Sequence, residues 1–120
     1  MRLFTLNRLG VVTSNHSSSN QCKDFGWKDY RYEVRITCTD KLDNDDFVIE
    51  HSRIHDEVAR VFQTMGSCER LCLNIERAIL KLVQSHGVKV KKIYVKVMPM
   101  PEGGIDLPNR AFMELESKYR

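Results

Sequence analysis

The stretch from Tyr30 to Thr39 alternates without a break, and it constrains the chain more than any other feature. Tyr30, Tyr32, Val34, Ile36 and Cys38 fall on one side; Arg31, Glu33, Arg35, Thr37 and Thr39 fall on the other. Successive side chains of a strand point to opposite faces, so this is a strand with one buried and one polar face. KVKKIYVKVM (89–98) is a second such segment, with Ile93, Val95 and Val97 against Tyr94, Lys96 and Met98. Residues 110–116 alternate again, with Ala111, Met113 and Leu115 inward. Residues 2–12 are β-compatible but loosely patterned, and Gly10 reads as a bulge or bend. PMPEGG (99–104) predicts an interruption after the 89–98 strand, because proline donates no ladder hydrogen bond.

Between these segments the period changes. Ile54, Val58, Val61, Phe62 and Met65 share one helix face, which predicts an amphipathic helix over 51–65. Gly66 breaks it, and Ser67 is an N-cap for the next helix. Leu71, Ile75, Ala78, Ile79, Leu82 and Val83 form the second apolar stripe. Gly87 is its C-cap, with Lys81 and His86 near the negative end of the helix dipole. Residues 13–29 (TSNHSSSNQCKDFGWKD) read as a loop, mobile in its serine-rich part and long enough to suggest a functional role. DKLDNDD (40–46) reads as a turn. The order is β-β-α-α-β-β, an α+β class, in one domain spanning 1–120.

A chain of 120 residues buries roughly two-thirds of its unfolded surface, enough for a core without disulfides or metal. The 19 Lys+Arg against 16 Asp+Glu leave +3, too little and too mixed for a nucleic-acid binder. With 42% hydrophobic and 29% charged residues, a disordered chain is not expected. No apolar run approaches the roughly 20 residues that span a bilayer, and the segment MRLFTLNRLGVV lacks the long apolar core and small-residue cleavage site expected of a signal peptide. The expectation is a soluble, cytoplasmic protein whose cysteines, at 22, 38, 68 and 72, are reduced. No C-x-x-C pair marks a structural zinc site, and Cys38 and Cys72 read as buried apolar thiols. No phosphate loop, nucleophile elbow or nucleotide fingerprint is present.

Both helices on one face of a four-stranded antiparallel sheet leave the other face bare. That face carries Arg31, Glu33, Arg35, Thr37, Tyr94, Lys96, Phe112 and Glu114, polar with aromatic interruptions. The sheet also has two open edges. Several copies joined edge to edge, as a larger barrel with a wet interior, would satisfy both. His51 and His55, four apart at a helix start, are either a metal pair without an identifiable third ligand or surface and boundary histidines. Trp27, with Phe25 and Tyr30, is either a stacking platform for a flat ring or an interface or core aromatic.

The element order and several motifs resemble the tunnelling fold, whose members include 6-pyruvoyl- and 6-carboxy-tetrahydropterin synthases and dihydroneopterin aldolases. Cys22-Lys-Asp-Phe-Gly26-Trp27-Lys28-Asp29-Tyr30 running into Arg31-Tyr-Glu-Val-Arg-Ile36 resembles the synthases' C-x-x-x-H-G-H-N-Y and following strand. Phe47-Val48-Ile49-Glu50-His51 resembles M-V-I-D-F, and Ser67-Cys68-Glu69-Arg70-Leu71-Cys72 resembles S/T-x-E-N-L-A at the second helix. Towards the C-terminus, Val95-Lys96-Val97-Met98-Pro99-Met100-Pro101 is similar to the aldolases' V-x-V-x-K-P-x-P.

The resemblance implies a barrel-forming homo-oligomer that holds a pterin- or purine-like heterocycle between subunits. Glu69 then stands where an aldolase glutamate holds the pterin's N–H groups, or is an ordinary first-turn glutamate. Cys22 stands where the synthases use a proton-transferring thiolate, with Lys23 and Lys28 nearby, or is a plain loop cysteine. Cys22, Lys28 and Lys96 are the acid–base candidates, and Trp27 a second ligand contact. The departures are equally specific. Gly26 and Lys28 replace two zinc-binding histidines, and Asn7, in Phe4-Thr5-Leu6-Asn7-Arg8-Leu9, replaces the third. The D-H-K-N-L segment between the helices is missing, and the aldolases' lysine before proline is Met98. Zinc is therefore not expected and no other cofactor is indicated; the implied protein is a diverged binder, a non-catalytic scaffold homologue, or an aldolase-like enzyme.

Overall fold

The computed structural model describes residues 3–13, 29–39, 49–63, 68–100 and 112–120. Four strands, β1 (Leu3–Thr13), β2 (Asp29–Thr39), β3 (Val90–Met100) and β4 (Met113–Lys118), form one antiparallel sheet in the order β1-β2-β3-β4. Helices α1 (His51–Val61) and α2 (Cys68–Ser85) lie between β2 and β3 in the chain and pack on one face of the sheet. The observed order is β-β-α-α-β-β, as the two periodicities require.

The inward row of β2 is buried as its alternation predicts, from Tyr30 to Cys38. It meets Ile93, Val95 and Val97 of β3 and the helix residues Ile54, Val58, Val61, Leu71, Ile75, Ile79 and Val83. Tyr30 packs against Phe62 with ring centroids 5.1 Å apart. Met113 and Leu115 of β4 close the core at its margin.

Four details depart from the sequence reading. β3 does not stop before its prolines: it runs through Pro99, opposite Tyr30, to Met100. The described ladder between β3 and β4 runs to Val97–Met113, and Pro99 lies past its last described pair. Gly10 marks no bulge, since β1 pairs with β2 in unbroken register; the irregularity lies between Thr37 and Cys38 instead. Helix α1 ends at Val61, where Phe62 and Gln63 close a tight turn onto Val58 and Arg60 carbonyls. β4 begins at Met113 and continues to Lys118, two residues past the expected end. Ser67, Met65 and Ala111 lie outside the described residues.

The second helix ends as expected. Gly87 adopts φ 75°, the left-handed conformation that a C-terminal glycine supplies without steric cost. His86 Nδ1 lies 3.0 Å from the Leu82 carbonyl, which also accepts from Ser85 Oγ at 2.6 Å.

Candidate functional site

The outer face of the sheet is a ladder of charges with aromatic rungs. Arg35 pairs with Glu33 at 2.9 Å and lies over the Tyr94 ring at 4.8 Å from its centroid. Lys96 stands between Glu33 and Glu114 in register, with its ammonium 4.3 Å from the Phe112 centroid. Lys92 pairs with Glu116 at 2.7 Å, and that contact holds the Glu116 carboxyl below its ordinary value. Burial and the Glu114 carboxylate raise the Tyr94 phenol, so it stays protonated and donates to Glu114. This face has the polar, partly aromatic character expected of it.

Glu69 occupies the first turn of α2 with its side chain exposed. One turn on, Cys72 is buried, its thiol 3.8 Å from the Met113 carbonyl of β4. Burial, assisted by the nearby Glu69 carboxylate, pushes that thiol up to about 12. Burial raises the Cys38 thiol as well. Both are free, buried and protonated, as their place in the pattern predicts. The start of α2 thus sits over the end of the sheet where β4 begins. Lys96 belongs to that same end but to the opposite face, so the sheet separates Glu69 from Lys96 within one protomer. Cys22, Trp27 and Lys28 lie outside the described residues, as do Lys23, Phe25 and Gly26.

Asn7 lies on the outer row of β1, directly opposite Arg35. Among the described residues no three His, Cys, Asp or Glu side chains converge as metal donors. His51 is exposed, and His55 is half-buried with its Nδ1 2.6 Å from the Tyr32 hydroxyl.

That last contact belongs to a cluster the sequence pattern hid. Arg8 lies on the inward row of β1 and also hydrogen-bonds the Tyr32 hydroxyl. Its Nε is buried without a hydrogen-bond partner. Gly10, paired with Tyr32, leaves space for the phenol: a Cβ there would stand 2.6 Å from the hydroxyl oxygen. Desolvation raises the Tyr32 phenol despite Arg8, so the hydroxyl keeps its proton. The parity of β1 was the available signal, because Leu6, Arg8, Gly10 and Val12 share a row. Only the pairing with Tyr32 gives that parity a direction. On the far flank of α1, Glu57, Arg60, Ala78, Lys81, Leu82 and Ser85 line an open groove of about 270 Å³, where Arg60 is held by Glu57 at 2.8 Å.

This strand order, with two helices on one face, defines the tunnelling fold. The structure superposes on dihydroneopterin aldolase from Burkholderia thailendensis, solved bound to guanine, with TM-score 0.64 and 17% identity over 99% of this chain and 92% of that one. A 6-pyruvoyl tetrahydropterin synthase from Caenorhabditis elegans aligns over 100% of this chain and 98% of its own at TM-score 0.45 and 10% identity. No protein-family model and no curated protein matches the chain. No helix among the described residues is long and apolar enough to cross a membrane.

Proposed function

We propose that this chain is a diverged pterin-related protein that binds a flat pterin- or purine-like heterocycle between subunits, with Glu69 as principal acceptor. The observation that carries this reading is the exposed carboxylate in the first turn of α2, on a fold shared with an aldolase solved with guanine bound. A carboxylate accepts two parallel N–H bonds from the amidine-like edge that guanine and pterins share. Trp27 supplies a stacking surface, and Cys22, Lys28 and Lys96 supply acid–base groups for lyase-like chemistry without zinc. Glu69 and Lys96 lie on opposite faces of one sheet, so a pocket using both takes them from different copies.

Self-association is part of the same reading. The outer row of β1 leaves Leu3, Leu9 and Val11 at least half exposed on an open edge. Native proteins seldom leave an apolar edge strand unpaired. The reading is completed by a cytoplasmic homo-oligomer built from one tunnelling-fold domain over 1–120. A second reading, a scaffold that kept assembly and lost catalysis, is favoured by Asn7 facing Arg35 where the synthases place a zinc ligand. The aldolase-like alternative has Met98 in place of the lysine before proline.

Calorimetric titration of guanine and of a pterin into wild type and Glu69→Gln separates these readings. Hydrogen bonds to a charged partner contribute roughly 1.5–3 kcal/mol each, so the variant should bind at least about tenfold more weakly. Elution volume and circular dichroism should be unchanged, since the substitution alters charge and hardly volume. Equal affinity removes Glu69 from the site. An oligomer that binds neither heterocycle favours the scaffold, and a monomeric elution profile at tens of micromolar counts against assembly.

A further inference from the structure

We propose that the Tyr32–His55 hydrogen bond is a pH-responsive latch that fastens α1 to the β1–β2 edge of the sheet, closed while the His55 imidazole is neutral and released by its protonation. Helix α1 otherwise rests on apolar contacts through Ile54, Val58 and Val61. His55 adds a directional contact at the flank of that row. The Tyr32 ring is 2% exposed, so its hydroxyl must find partners inside the protein. Its oxygen accepts from Arg8 and lies 2.6 Å from His55 Nδ1; in the closed latch its single proton goes to that nitrogen. That arrangement requires a lone pair on Nδ1 and the ring proton on Nε2.

Protonation puts a hydrogen on Nδ1 and turns the acceptor into a donor. The phenol oxygen then faces two cationic donors, Arg8 and the imidazolium, and the hydroxyl hydrogen loses its acceptor. Gly10 closes one side of the hydroxyl, where an added Cβ would stand 2.6 Å from the oxygen. Among the described residues, the charged and titratable groups near His55 are Arg8 from β1, Tyr32 from β2, and His51 and Asp56 of α1 itself. Lys81 of α2 faces the opposite flank of α1, beside Glu57 and Arg60. Asp56 is exposed, so its charge acts through solvent, where salt screens it. Arg8 is half-buried and already donates to the phenol oxygen, so a second cationic donor at that oxygen is opposed. Imidazole is the side chain whose charge changes between about pH 5 and 8.

The test uses the full chain and two readouts. Nitrogen NMR of labelled histidine at pH 7.5 should show His55 as the Nε2–H tautomer; an Nδ1–H tautomer overturns the proposal. Native-state hydrogen exchange, corrected for intrinsic rates, should show α1 and β1 losing about tenfold protection relative to α2 and β3 between pH 7.5 and pH 5.0, as expected for one hydrogen bond. Tyr32→Phe and His55→Gln should each abolish that relative loss. An equal loss in both variants, or none in wild type, overturns the proposal. Should Tyr32→Phe fail to fold, His55→Gln and the tautomer measurement decide the matter.

Discussion

Replacing Gly10 with alanine tests how tightly β1 is fitted to β2. The backbone at Gly10 does not lie in the left-handed region, since Gly87 alone among the described glycines has positive φ. On that ground alanine should stabilise the chain by about 0.4–1 kcal/mol, because it reduces the freedom of the unfolded state. The opposing effect is steric. The new Cβ would stand 2.6 Å from the Tyr32 hydroxyl oxygen, 2.7 Å from Cε1 and 2.8 Å from Cζ. Ordinary contacts lie at 3.4–4 Å, so the ring or the edge strand must move by more than half an ångström. Tyr32 cannot swing away, because it is buried and tied to His55 and Arg8. Overpacking of this kind costs about 1–3 kcal/mol, which leaves a net loss of about 1–2 kcal/mol. In urea, with m of about 1–3 kcal/mol/M, the midpoint should fall by about 0.3–2 M. A double-mutant cycle locates the cause. In a Tyr32→Leu background the cost should vanish, whereas Tyr32→Phe, which keeps Cε1 and Cζ, should not relieve it. A Gly10→Ala protein as stable as wild type, or an equal cost in the Tyr32→Leu background, refutes the reasoning.

Two further outcomes follow from buried acids. The Cys72 thiol is raised by burial to about 12, and the Cys38 thiol and the Tyr32 and Tyr119 phenols are also raised. Each is neutral when protonated, so the stability it contributes is complete below its unfolded pKa and is lost as pH rises through the folded value. Denaturation midpoints measured from pH 8 to 11 should decline steadily, and Cys72→Ala should flatten part of that slope; a flat wild-type profile would contradict the linkage. Tyr119 donates to Glu76 of α2 while its backbone N–H bonds the Lys91 carbonyl, pinning the segment after β4 to both helix and sheet. Tyr119→Phe should cost about 1.5 kcal/mol by chemical denaturation, the value of a bond to a charged acceptor; a loss within error of zero would show that the contact is not held in solution.

The sequence by itself determined which residues point inward and in what order the elements come. The alternation of 30–39 and of 89–98, and the stripes from Ile54 and from Leu71, are local periodicities, and each demands one buried face whatever lies opposite. The same reasoning placed Cys38 and Cys72 inside and Gly87 at a helix end, because these depend on near neighbours alone. Tertiary structure decided what depends on partners distant in the chain. Pro99 continues β3 opposite Tyr30, a register with β2 that is invisible in PMPEGG. Gly10 was read as a bend, yet its role is to make room for Tyr32, a residue 22 positions away. The pairing of β1 with β2, and the seating of α1, brought Arg8 and His55 to one hydroxyl. Glu69 and Lys96 were legible as candidates, but only the sheet between them shows that they serve opposite faces. Periodicity records how much of a side chain must leave water; which group it then meets is set by register and packing across the sheet, and neither is written in a local pattern.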